Sequence, residues 1–190
     1  MMAIWLSVGL SLLCVLQTRA QNEALPAIPV QPDFRQDEFT GKWYSIGMAS
    51  NSQWFKDKKH LMTTCVTIVT PVGDGNLNQT STFPRNDRCE KRTMMLERTS
   101  QPGRFYYKSL RWGSDHDVRV VETNYNEYAV MFTTKSKGSG NFNMAVLYGR
   151  SQDLRPELKK NFIEFAKSQG FTDDSIIILP KSDKCMEEAE

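Results

Sequence analysis

Three cysteines, Cys65, Cys89 and Cys185, are the residues of this chain best suited to covalent chemistry once Cys14 is assigned to an N-terminal leader. An odd number of thiols in a secreted protein leaves at least one sulfur outside any intramolecular disulfide. That sulfur is free, joined to a partner, or kept for reaction. The run Leu61 to Thr70 alternates so that Thr63, Cys65 and Thr67 share one face of an extended strand. Hydroxyls beside a thiol are unusual in a plain core, and a thiol of pKa about 8.5 needs help to become the nucleophilic thiolate. The plainer reading of such a cysteine is a small buried hydrophobe, and the residues by themselves leave both readings open.

Other chemistries are poorly supported. His60 and His116 are the only histidines and lack metal-ligand spacing to each other or to a cysteine pair, so no metal is expected. There is no G-x-S-x-G elbow for a serine hydrolase and no glycine loop to cradle phosphate. Lys and Arg number 24 against 22 acidic residues, which gives no field to attract nucleic acid.

The compartment follows from the first residues. An apolar run through Ile4, Leu6, Val8, Leu10, Leu13 and Leu16, followed by Thr18-Arg19-Ala20, reads as a signal peptide over Met1–Ala20. The run is shorter than the ~20 residues a membrane span needs. Residues 21–190 then form one domain, with no interior linker, repeat or low-complexity segment.

The elements that must hold Cys65 are mostly strands. Candidates are Lys42–Met48, Leu61–Thr70, Leu77–Phe83, Lys91–Glu97, Arg104–Leu110, Asp117–Thr123, Glu127–Thr134 and Asn141–Gly149. Turn signals such as Gly73-Asp74-Gly75, Pro102-Gly103 and Gly138-Ser139-Gly140 separate them. Eight consecutive strands at nearly even spacing, apolar on both faces in part, predict an all-β, antiparallel up-and-down barrel, with an open sandwich as the alternative. From Asp153 to Gly170, Leu154, Leu158, Phe162, Phe165 and Ala166 fall on one helical face, which predicts a C-terminal α-helix packed outside the barrel. A short strand over Thr172–Leu179 and a polar tail follow.

Gly41-Lys42-Trp43 at the first strand, Thr123-Asn124-Tyr125 before the seventh and Leu147-Tyr148-Gly149-Arg150 after the eighth resemble the three signature regions of the lipocalins. The resemblance implies an eight-stranded lipocalin barrel in which Trp43 plugs one end and the Arg150 guanidinium stacks on it. Gly41 belongs to the same structural motif. Gly47 to Ser52, Thr80 to Phe83, Trp112-Gly113-Ser114, Val120 to Thr123 and Gly170-Phe171-Thr172 are similar to the glutathione-independent prostaglandin-D-synthase branch of that family, over nearly the whole mature chain.

That branch implies a Cys89–Cys185 disulfide, which leaves Cys65 as the nucleophile, with Ser45, Thr67 and Ser81 as supporting hydroxyls. It implies isomerisation of prostaglandin H2 to prostaglandin D2 by a cavity thiolate, assisted by a free thiol such as glutathione and needing no bound cofactor. It also implies binding and transport of small lipophilic ligands such as retinoids, fatty acids, bile pigments and thyroid hormone. The alternative is an extracellular carrier without turnover. Trp54, Met62, Phe83, Met94, Met131 and Tyr148 are the candidate ligand lining, since unbranched thioethers repack around different shapes. Lys56, Lys58 and Lys59 lie in the first loop, where a lipocalin's mouth is covered, and are candidates to steer a carboxylated ligand. The resemblance further implies a monomer, secreted through the endoplasmic reticulum and Golgi, with peripheral association at perinuclear and rough endoplasmic reticulum membranes. Asn78-Gln79-Thr80 is the one glycosylation sequon. Two departures from mammalian members fall near the ligand region: Arg111 replaces a histidine, and His116 a tyrosine.

Overall fold

A computed structural model describes residue 25 and residues 27–86, 88–138 and 140–187. The expected leader Met1–Ala20 lies outside them. Among these residues the chain forms α1 (Gln36–Phe39), β1 (Gly41–Ser50), α2 (Gln53–Lys58), β2 (Val66–Val72), β3 (Asn76–Arg85), β4 (Arg88–Arg98), β5 (Arg104–Ser109), β6 (Ser114–Thr123), β7 (Tyr128–Lys137), β8 (Gly140–Gly149), α3 (Pro156–Ser168) and β9 (Ile176–Ile178). Strands β2 to β8 pair in sequence order, each antiparallel to the next. Strand β1 pairs with both β8 and β2, so the sheet closes into an eight-stranded barrel and the sandwich alternative is excluded.

Period-two alternation sorts the side chains into two cores. Inside the barrel, Trp43, Val69, Leu77, Leu96, Phe105, Val118, Met131, Val146 and Tyr148 form one buried cluster. Outside it, Ile46, Ala49, Phe132, Ala145 and Leu147 meet Leu158, Phe162 and Ala166 of α3. The helix opens with Pro156 in its first turn, where a missing N–H costs nothing. A register shift between Ser45 and Gly47 lets both Ile46 and Gly47 face the helix. A Cβ on Gly47 would lie 3.0 Å from the Phe162 ring, so a larger residue would push the helix side chain back by a few tenths of an ångström.

Two expected elements differ. The strand beginning at Leu61 starts only at Val66. Leu61 ends a short 3-10 turn, and the Thr64 N–H turns away to the Pro180 carbonyl. Strand β1 leaves β2 after Tyr44, and over Gly47–Ala49 that edge is taken by β9. The last strand shrinks to Ile176–Ile178 because Asp173–Ser175 is a 3-10 turn. The first loop also carries α2, capped by the Ser52 hydroxyl accepting the Phe55 N–H.

One end of the barrel is sealed. The Arg150 guanidinium carbon lies 3.7 Å from the centroid of the Trp43 rings. The same group donates to the carbonyls of Tyr125, Lys42, Glu38 and Thr40 at 2.8 to 2.9 Å. Gly41 sits beneath it at φ +97, and a Cβ there would be 3.3 Å from Arg150 Nη1. Cys89 and Cys185 are bonded, tying the tail to β4 across 96 residues of sequence. Chain entropy gives a loop of that size about 4–5 kcal/mol. Replacing Arg150 with Lys, which has no planar fork of donors, should lower stability by about 2–4 kcal/mol in urea unfolding.

Candidate active site in the barrel lumen

Strand alternation carries Trp43 and Ser45 of β1 to the lumen side, and β-pairing sets Tyr148 of β8 directly beside Ser45. Cys65 stands on the other side of Ser45, at the fork where β2 and β9 part from β1. The Ser45 N–H donates to the Cys65 carbonyl at 2.9 Å. The Ser45 hydroxyl accepts the Cys65 N–H and donates to its carbonyl, both at 3.2 Å. Ser45 Oγ lies 2.7 Å from Cys65 Sγ. Cys65 is unpaired and half-buried.

The other two expected hydroxyls stand one step away. Thr67 Oγ1 and Ser81 Oγ bond each other at 2.8 Å, across the register pair Thr67↔Ser81. Thr67 hydrogen-bonds the Tyr148 phenol, and Ser81 reaches it only through Thr67. Thr63, expected to share the strand face of Cys65, precedes the strand, and its Oγ1 is buried with no partner among the described residues.

Burial pushes the Cys65 thiol above its ordinary value, and the Ser45 hydrogen bond pulls it partly back. The Tyr148 phenol is also raised, by burial first and by the charge of the Cys65 sulfur second. Its oxygen accepts from Gln79 Nε2 at 3.0 Å. Gln79, buried on the lumen face of β3, was absent from the sequence-derived candidates; its alternation with Leu77 and Ser81 was the available signal. The resting group is therefore a thiol inside a wall of hydroxyls and amides.

The six lining candidates separate. Met131 and Tyr148 are buried in the lumen cluster, and Met94 packs against it. Phe83 is half-buried towards the open end under the Arg92 guanidinium, 5.8 Å from its ring centroid. Trp54 projects outward, 66% exposed, because α2 buries its neighbour Phe55 instead. Met62 is half-buried in the segment before β2 and belongs to neither core cluster. Asn78 lies within β3, half-buried, on the face opposite Leu77 and Gln79. No metal-holding group of His, Cys, Asp or Glu occurs among the described residues. A surface cleft of about 530 Å³ at the sealed end, lined by Gln36, Gly75 and Arg98 to Phe105, has no cysteine in its lining.

A closed eight-stranded barrel with one sealed end and a polar, thiol-bearing interior has the form of a cup, an architecture that can hold one small ligand. The chain belongs to the lipocalin / cytosolic fatty-acid binding protein family, whose sequence model matches residues 40–183. It is 51% identical over 187 residues to the prostaglandin-H2 D-isomerase of Canis lupus familiaris, covering 97% of this chain and 96% of the relative. The enzyme of that name from Ursus arctos is 50% identical over the same shares. A protein named lipocalin from Rhinella marina is 54% identical over 161 residues, 85% of this chain and 88% of its own. Among solved structures, the siderocalin Ex-FABP, described as having dual ligand specificities, superposes with a TM-score of 0.67 at 26% identity, covering 77% of this chain and 93% of that one.

Because the thiol sits above its usual value, alkylation of Cys65 by iodoacetamide should accelerate with pH through a midpoint above that of a free cysteine. Ser45→Ala removes the one hydrogen bond that lowers it. The midpoint then moves further up and alkylation at about pH 8 slows, since less thiolate is present. Mass-resolved labelling across pH reads both.

Proposed function

We propose that this protein is a secreted, monomeric lipocalin that isomerises prostaglandin H2 to prostaglandin D2 at Cys65 and also carries small lipophilic molecules. One observation carries the enzymatic reading: an unpaired sulfur in contact with Ser45, whose strand partner is the lumen residue Tyr148. The relatives named for this reaction support it.

The Cys65 thiolate attacks the endoperoxide oxygen on the ring carbon that becomes the ketone. The O–O bond breaks, and the other oxygen leaves as an alkoxide that takes up a proton. Ser45, in contact with the sulfur, and Tyr148, its strand partner, are hydroxyls able to relay it. The first ring carbon then loses its hydrogen as a proton, the carbonyl forms, and the S–O electron pair returns to sulfur. Electrons balance without any external oxidant or reductant. A free thiol such as glutathione enters only to return an oxidised Cys65 to the thiol. The walls orient the substrate and exclude water from a labile bridge.

Carriage of retinoids, fatty acids, bile pigments or thyroid hormone is supported by Met48, Met94, Met131 and Met144, all in or against the lumen cluster. Their flexible thioethers adapt to different shapes. Peripheral membrane contact is supported by the open rim. Trp54, Leu61, Leu110, Trp112 and Phe142 are exposed there, on α2, on the 3-10 turn that follows it or at the open-end hairpins. Lys58, Arg111 and Lys137 share those segments.

Cys65→Ala should abolish turnover of prostaglandin H2 while retinol still quenches tryptophan fluorescence. Retained turnover would remove the enzymatic reading and leave the carrier. Leu110→Ser with Trp112→Ser should weaken sedimentation with phosphatidylserine-containing vesicles while turnover persists.

A further inference from the structure

Three directly paired residues, Tyr107 of β5, His116 of β6 and Lys135 of β7, form a row across the wall near the open end. Phe105, Val118 and Met131, an even number of residues further along the same strands, belong to the lumen cluster, so the row faces inward. The Tyr107 ring lies 5.1 Å from the imidazole. Ser114 Oγ is 3.1 Å from His116 Nε2 and holds the ring in place.

No acid answers these groups from within. Lys135 makes no ion pair among the described residues; burial first, and the Lys135 charge second, lower the His116 pKa against a smaller opposing pull from Asp115. Asp115, one residue away, points to the other face and is held by the Tyr106 hydroxyl. Asp117 is taken by Arg104 and Arg119, and Glu90 by Arg85. Arg92, beside Ser81, adds another cation on the lumen-facing side of β4. Two of the three first-loop lysines are engaged elsewhere. Lys56 is paired with Asp174 at 3.0 Å, and Lys59 donates to the Ile176 carbonyl, both on the outside of the barrel.

We propose that His116 and Lys135 form a carboxylate-holding subsite, which seats the head of a long-chain acid while its tail runs down the apolar lumen. Charge-assisted hydrogen bonds from a partly desolvated ammonium are the strong kind. From Lys135 to Ala129, the partner of Tyr148, β7 runs about 20 Å at ~3.3 Å per residue. Val118, Met131, Met144 and Val146 line that run, which suits a fatty-acyl chain. The subsite rests on the lumen being a lipid pocket.

The test measures palmitic acid, palmitic acid methyl ester and retinol by quenching of tryptophan fluorescence in the full protein, in Lys135→Met and in Lys135→Arg. The protein should prefer the acid over the ester by about tenfold, the worth of one charge-assisted contact. Lys135→Met should erase that preference with retinol affinity unchanged, and Lys135→Arg should keep it. Equal binding of acid and ester by the unaltered protein overturns the subsite, as does a preference that survives in Lys135→Met. If retinol also fails to bind the unaltered protein, the lipid-pocket reading falls with it.

Discussion

One guanidinium decides which end of this barrel is open. Arg150 donates to four carbonyls contributed by α1, the start of β1 and the turn before β7, while its flat face covers Trp43. The carbonyls of Glu38, Thr40 and Tyr125 lie outside any strand, and that of Lys42 lies at the start of β1, before its pairing with β8 begins at Tyr44. A planar fork of donors satisfies them together, where a single ammonium reaches fewer. With that end sealed, a tube becomes a cup, and anything reaching Cys65 arrives through the rim formed by α2 and three hairpins.

The interior chemistry follows from where β1 changes partners. Over Gly41–Tyr44 it pairs with β2, and over Gly47–Ala49 with β9. Cys65 sits at the parting, with its backbone still tied to Ser45 and its sulfur no longer committed to a continuous ladder. Burial raises the thiol, and only one hydrogen bond opposes it. The site therefore rests in a protonated, weakly reactive state, which spares the sulfur from indiscriminate oxidation before a ligand closes over it.

Much of this arrangement was written in the sequence. Alternation in Phe105-Tyr106-Tyr107 and Phe142 to Tyr148 separates two faces of each strand without saying which turns inward, and the helical spacing of Leu158, Phe162 and Ala166 marks the outer helix. What was hidden depends on partners distant in sequence. Val66 begins β2 because Thr64 turns to Pro180, more than a hundred residues later, and no local pattern announces that choice. Trp54 looked like a ligand residue, yet the short helix it belongs to buries Phe55 in its place. Lys135 gained meaning only through its register with His116, since a lysine near a strand end reads as solvent-facing until its neighbours are known.

The disulfide has a bearing on Cys65 that reaches past stability. This chain requires two sulfurs to stay oxidised together and a third to stay reduced in the same surroundings. Thiol–disulfide exchange would scramble them if a thiolate met the bridge. Cys89 lies on the outward face of β4, opposite in parity to Met94 and Leu96, whereas Cys65 opens into the cup. The barrel wall thus acts as an insulator between two redox states. Because Cys185 anchors the tail whose Ser182 carbonyl accepts from Thr64, the oxidised pair also steadies the segment bearing the reduced one.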